Sequence, residues 1–197
     1  MEPVSYNADD RVELSEIFNG KEALIKKYAE KLSISFERVE YAKNNFIRVV
    51  KVMKAFILND SVKSFLCLNN KLPQENKGLF DIKLLEEFAD AIIKLYGIKG
   101  LKGKDLLYSI NSEDYDAKRA EFIQRLSKGE KLFVISSYNT VGAGQNLQYK
   151  APGNATIVAV NDYDRGDMEK DFDCIYLEKP TNLLVNVDSK KGIEAED

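Results

Sequence analysis

Short, uniformly apolar segments alternate with helical patterns between residues 62 and 187, and this alternation most restricts the fold. Strands that are apolar throughout, with helices between them, are typical of a parallel sheet covered by helices on both faces. The sequence therefore predicts an α/β fold with a mostly parallel sheet. The predicted strands are residues 64–68, 106–110, 132–136, 155–160 and 174–177, and residues 183–187 form another strand or a buried segment.

The predicted helices divide the chain into three parts. Residues 1–60 form a helical segment, residues 61–187 the α/β domain, and residues 188–197 a polar tail. Residues 1–20 have no clear helical period, so we expect an irregular start. Helical spacing without Gly or Pro interruption covers residues 21–32, 36–58, 81–96 and 115–127, and Gly97 is a typical helix stop.

The composition excludes several kinds of chemistry. The 197-residue chain has no histidine, which removes Ser-His-Asp and Cys-His catalysis and His-ligated metals. Its two cysteines, Cys67 and Cys174, lie in apolar runs and are expected to be buried free thiols. A net charge of −3 favours no polyanion overall, so any nucleic-acid surface has to be local.

Neither end of the chain nor its interior predicts a membrane segment. No stretch of about 18 apolar residues is present, and the acidic start is unlike a secretory signal. We therefore expect an intracellular, cytoplasmic protein.

Two charged segments have alternative interpretations. The second helical pattern places four cations on the face opposite its apolar stripe, and we call them the basic face: Lys43, Arg48, Lys51 and Lys54. This face either binds phosphates or is an ordinary solvated helix surface. The acidic run 162–173 resembles a calcium loop, but Gly166 occupies a ligand position and no Glu stands at the twelfth place, so a solvated loop is preferred.

Complete phosphate-binding motifs are absent from the sequence. Near residues 97–105, Gly103 and Lys104 fit a Walker A pattern, but Ile98 and Asp105 do not. A dinucleotide fingerprint fails because Leu147 replaces its third glycine.

The most informative segment runs from the buried strand at 132–136 into a polar loop, residues 136–148, which we call the glycine loop. It contains hydroxyls at Ser136, Ser137 and Thr140, then Gly142 and Gly144, then amides around Asn146. Small residues let backbone amides approach a phosphate, and neutral hydroxyls and amides donate hydrogen bonds. Spacing alone leaves two readings open: a ligand loop, or a tight turn whose glycines only supply positive φ.

This segment resembles motif V of superfamily-two helicases and translocases, in which a buried strand leads through Ser or Thr into a Gly-x-Gly-x-Asn-Leu pattern. Gly142, Gly144, Asn146 and Leu147 match that pattern. The order of predicted strands and helices over residues 62–180 is also similar to the second RecA-like lobe of that family. The first lobe with its Walker motifs and the Arg-rich motif VI have no counterpart, because Arg165 is the sole arginine after Arg125.

The resemblance implies one lobe of a two-lobed motor that tracks DNA or RNA and needs a first RecA-like lobe, in the same or another chain, to hydrolyse ATP. It implies ATP contacts, with Mg²⁺ when that lobe is present, at Gly142, Gly144 and Asn146. It implies contacts to the nucleic-acid backbone at Ser136, Ser137, Thr140, Asn69 and Asn70, and the basic face is a further candidate.

Two other functions remain open at this point. The chain could be a stand-alone interaction or regulatory module that keeps the fold and binds protein or nucleic acid without ATPase activity. A small-molecule enzyme of the α/β class is the third possibility, although the sequence contains no recognisable nucleophile and base pair.

Overall fold

The computed structural model describes residues 8–36, 39–70, 80–141, 147–153 and 169–178. Within these residues the helices are α1 Ala8–Phe18, α2 Glu22–Ser35, α3 Glu40–Leu58, α4 Ile82–Leu95, α5 Gly103–Leu106 and α6 Tyr115–Ser127. The strands are β1 Ser64–Asn69, β2 Leu107–Ser109, β3 Leu132–Ser137, β4 Tyr149–Lys150, β5 Glu169–Lys170 and β6 Cys174–Leu177.

Four of these strands form one sheet in the order β2-β3-β1-β6, and every neighbouring pair is parallel. The predicted α/β class and parallel sheet are therefore confirmed. β1 and β3 lie at the centre and are buried along their whole length, as expected from their uninterrupted apolar sequences. A separate short antiparallel pair joins β4 and β5. The predicted strands at 155–160 and 183–187 and the tail at 188–197 lie outside the described residues.

Helices cover both faces of this sheet. On one face, α1 to α4 and the inward side chains of β1 and β3 share a single apolar cluster. Phe56 of α3 reaches this face, with its ring 5.5 Å from that of Phe65 and 5.7 Å from that of Phe133. On the other face, Phe122 and Leu126 of α6 pack on the central strands. The predicted helical segment 1–60 and the α/β domain that follows it therefore share one core, in which side chains of α3 and β1 meet.

The expectation of an irregular start over residues 1–20 is wrong for residues 8–18, which form α1. Leu14, Ile17 and Phe18 are fully buried, and their spacing places them on one side of the helix. The stripe is narrow and the rest of α1 is acidic, so the helical period is weak in the sequence. Contacts with α2 and α3 supply the missing stabilisation, because helices this short depend on tertiary packing.

The remaining helix predictions agree with the structure. α2, α3, α4 and α6 lie within or close to the predicted segments, and Gly97 follows α4 with a φ of 67°. This left-handed conformation explains why glycine stands there. One additional turn, α5, precedes β2 and was not predicted.

Candidate ligand site at the carboxyl edge of the sheet

The carboxyl ends of the parallel strands meet at one edge of the sheet, which we call the carboxyl edge. The register aligns Asn69 at the end of β1 with Ser137 at the end of β3, and places Leu68 beside Leu177 at the end of β6. Ligands of open parallel sheets bind outside this edge. The structure therefore brings together two of the residues for which the resemblance implied contacts with a nucleic-acid backbone.

The predicted strand 64–68 implied that Asn69 is a loop residue. In the structure Asn69 is instead the last residue of β1, and it is fully buried. Its Oδ1 accepts hydrogen bonds from Asn45 Nδ2 at 2.9 Å and from the backbone N–H of Asn70 at 2.8 Å. Asn45 belongs to α3 and is also buried. Two atoms of this pair, Asn45 Oδ1 and Asn69 Nδ2, have no hydrogen-bond partner among the residues that the structure describes.

The hydroxyls at the start of the glycine loop have different environments. Ser136 lies inside β3, fully buried, and donates to the carbonyl of Ile110 at 3.2 Å. Ser137 ends β3, and its Oγ lies 2.9 Å from Thr140 Oγ1 and accepts from the Thr140 N–H at 3.2 Å. Ser137 and Thr140 thus form one polar pair beside Asn69. The proposed nucleotide contacts Gly142, Gly144 and Asn146 lie outside the described residues.

A buried carboxylate lies at the same edge. Glu178, directly after β6, is 2% exposed. Its Oε1 accepts from Arg48 at 2.6 Å and its Oε2 from the Tyr176 hydroxyl at 2.7 Å. The Tyr138 hydroxyl donates to its carbonyl. The hydrogen bond with Glu178 raises the pKa of Arg48, and burial followed by the Glu178 contact raises the pKa of Tyr176 to about 12.

Three of the four cations of the basic face contact α1. Lys43 is buried and contacts Asp10 at 2.7 Å, and Lys51 contacts Glu13 at 2.7 Å and Glu16 at 2.6 Å. Lys54 donates to a backbone carbonyl of α1 and lies over the ring of Tyr96. Burial lowers the pKa of Lys43, but its hydrogen bonds to carboxylates outweigh burial and raise the pKa overall.

This arrangement corrects the interpretation of that surface as a solvated helix face. Three of the four cations hold α1 onto α3, whereas Arg48 points to the carboxyl edge through Glu178. A groove of about 540 Å³ runs beside Arg48 between α1, α3 and Tyr176. Its walls carry both carboxylates and cations, so its electrostatic attraction for a polyanion is weak.

The two cysteines are free, as predicted. Cys67 is buried in β1, and burial raises the pKa of its thiol, which disfavours the reactive thiolate. Cys174 is partly exposed, contrary to the expectation of full burial. Within the part of the chain that the structure describes, no group of three or more Cys, Asp or Glu side chains is placed to hold a metal ion.

Sequence reasoning missed Asn45 and Glu178. A polar residue inside the apolar stripe of α3, next to Phe46, was the available signal for Asn45. Glu178 carried no such signal, since its partner Arg48 lies 130 residues earlier.

No model of a protein family matches the chain, and no curated protein matches it either. Across the described helices, none has the length and apolar character needed to cross a membrane.

Proposed function

We propose that the chain is the second RecA-like lobe of a helicase-like, ATP-driven nucleic-acid translocase. One observation carries this proposal: the strand register places Asn69 and the Ser137–Thr140 pair side by side at the carboxyl edge. These are residues for which the resemblance to the second RecA-like lobe implied contacts with a nucleic-acid backbone. The parallel sheet with helices on both faces is compatible with a RecA-like lobe.

The chemistry of this cluster suits a phosphodiester backbone. Side-chain hydroxyls and amides donate to phosphate oxygens without a formal charge, and such contacts position a protein on a strand independently of base sequence. The Ser136 hydroxyl donates a hydrogen bond to the carbonyl of Ile110, so Ser136 connects β3 to the residue that follows β2. Asn70 follows the end of β1, and its backbone N–H donates a hydrogen bond to Asn69 Oδ1.

ATP would be held by Gly142, Gly144 and Asn146, with Mg²⁺, in a cleft formed with a first lobe in the same or another chain. Alone, the chain would bind nucleic acid weakly and would not hydrolyse ATP. In the basic face, Lys43, Arg48 and Lys51 are all paired with carboxylates, which weakens the case for a phosphate contact by these three cations.

Oligonucleotide binding by the chain tests this role. Fluorescence anisotropy with labelled single strands should show binding that weakens as salt rises, because released counterions drive such contacts. Replacing both Ser137 and Thr140 with alanine should weaken binding. The control Ser35→Ala, at an exposed position at the end of α2, should not. Binding without salt dependence, or unaffected by the double variant, would contradict the proposal.

A stand-alone interaction module is the second candidate, and one observation favours it. Ile175 and Leu177 of β6 are 56% and 57% exposed, which is high for apolar side chains in a sheet. Such a module would keep its binding activity in the variants Gly144→Val and Asn146→Ala. A motor lobe would lose the coupling between nucleotide and nucleic acid in both.

A further inference from the structure

A groove of about 800 Å³ lies between helices α2 and α4, and we call it the α2–α4 groove. Tyr28 of α2 lines this groove and is itself buried. Its hydroxyl donates to the carbonyl of Glu87 on α4 at 2.8 Å, and its ring lies 4.3 Å from that of Phe88. None of the residues that line the groove belongs to the candidate ligand site. The chain therefore has a second, preformed concave surface that the proposed function does not use.

The floor of the α2–α4 groove is apolar and consists of Leu24 of α2 with Ala91 and Leu95 of α4. Each of these side chains is half-buried, and all three pack against the main core, which fixes their positions. Ala91 and Leu95 stand four residues apart and therefore lie on the same side of α4. Partly exposed apolar side chains in a groove between two helices are typical of a surface that receives the apolar face of another helix.

The rim of the groove is positively charged, although the whole chain carries a net charge of −3. Its two carboxylates already have partners within the chain. Glu87 forms an ion pair with Lys31. Asp90 accepts from the backbone N–H of Gly103 at 2.7 Å. Among the residues that the structure describes, no carboxylate contacts the other rim lysines, which are Lys21, Lys27 and Lys94. Such a local excess of cations attracts an acidic partner.

We propose that the α2–α4 groove docks an acidic amphipathic helix of a partner protein. The apolar stripe of that helix lies on the floor, and its flanking carboxylates contact Lys27 of α2 and Lys94 of α4. Helices α2 and α4 have 14 residues each and are therefore about 21 Å long, which leaves room for a partner helix of about four turns. A nucleic acid fits this groove less well, because the apolar floor offers no donor to its phosphates and the two rim carboxylates repel them.

A synthetic peptide of about 14 residues, the length of α2, tests the proposal. Leucines with helical spacing form one face of the peptide, glutamates flank them, and a side-chain lactam bridge on the opposite face keeps the peptide helical. Fluorescence anisotropy should show binding that is at least about tenfold weaker in Lys27→Glu/Lys94→Glu. The control Lys26→Glu/Lys104→Glu changes the net charge equally at exposed positions outside the groove, and it should change the affinity less than about twofold.

Two further measurements separate docking on the floor from attraction by charge alone. Ala91→Arg fills the floor while adding a positive charge, and it should also weaken binding of the peptide. A scrambled peptide with the same composition and bridge lacks the apolar stripe, so the unmodified chain should bind it about tenfold more weakly than the ordered peptide. This comparison does not depend on the folding of any variant.

Equal binding of the two peptides, binding unaffected by Lys27→Glu/Lys94→Glu, or no binding at all would overturn the proposal. Oligonucleotide binding that Lys27→Glu/Lys94→Glu abolishes, in a chain that does not bind the peptide, would assign the groove to nucleic acid and overturn it as well. The proposed function is tested separately by the variants of Ser137 and Thr140, so either result can fail without the other.

Discussion

Truncation of Phe56 tests whether the helical segment and the sheet form one cooperative unit. Phe56 lies on α3 and is 2% exposed. Its ring contacts Phe65 of β1 and Phe133 of β3, and the ammonium of Lys131 lies 4.7 Å from its centroid. The side chain therefore joins residues 1–60 to the two central strands of the sheet.

The size of the expected effect follows from this burial. Replacing a buried Phe with Ala costs about 3–5 kcal/mol, which includes the lost transfer free energy and the cavity that remains. A domain of this kind has a total free energy of unfolding of about 5–15 kcal/mol. Phe56→Ala should thus remove roughly a fifth or more of the stability. Phe56→Leu keeps most of the volume and should cost less than about 1.5 kcal/mol.

Urea unfolding measured by far-UV and near-UV circular dichroism provides the assay. In the unmodified chain the helical and aromatic signals should change with one midpoint, and in Phe56→Ala both should move together to lower urea. Tyr41→Ala, at a 50% exposed position on the same helix, should change the free energy of unfolding by less than about 0.5 kcal/mol. Separate midpoints, or a loss below about 1 kcal/mol in Phe56→Ala, would refute a shared core.

Three further predictions concern individual contacts. Arg48→Ala should lower the free energy of unfolding by about 1–3 kcal/mol, less than for a fully buried pair because its side chain is 45% exposed, and adding Glu178→Gln should recover part of the loss in a double-mutant cycle. Burial raises the pKa of Asp173, but hydrogen bonds from Lys170 and two backbone N–H groups outweigh burial and lower the pKa overall. The stabilisation of the fold by the Asp173 carboxylate is therefore complete above the unfolded-state pKa of about 3.9, and it is lost as pH falls through the lower pKa of the folded state. The difference in unfolding free energy between the unmodified chain and Asp173→Asn should therefore shrink in acid titrations below about pH 4, and a constant difference would contradict this. Gly103→Ala should lower the Tm, at a cost of about 1–3 kcal/mol, because its Cβ would lie 2.4 Å from a backbone oxygen of α4, while Gly153→Ala, with no atom within 4 Å, should leave the Tm unchanged.

Local patterns in the sequence predicted most of the described fold. β1 and β3 are continuous apolar runs and α4 has a strong apolar stripe, so each element carries its own signal. α1 did not, because its three buried side chains stand among acidic residues whose partners are lysines of α3. The stability of α1 depends on contacts with residues of α3 that are distant in the sequence.

Part of the candidate site could likewise be predicted from local sequence patterns, and part of it could not. Asn69 and Ser137 were predictable because each stands where a buried strand ends, and parallel strands place such ends at one edge. Asn45 was not, since only the packing of α3 on β1 brings it to Asn69. The helical period of α3 placed the four cations on one face but could not show that three of them contact α1.

Nucleic-acid-stimulated ATP hydrolysis tests the proposed motor role most directly. The chain would be combined with a first RecA-like lobe that carries Walker A and Walker B motifs, supplied by a longer reading frame or a separate chain. We expect hydrolysis that neither part shows alone, that rises on addition of nucleic acid, and that is lost in Asn146→Ala. Combined lobes that bind one another and bind nucleic acid, yet show no stimulated hydrolysis, would contradict the motor role.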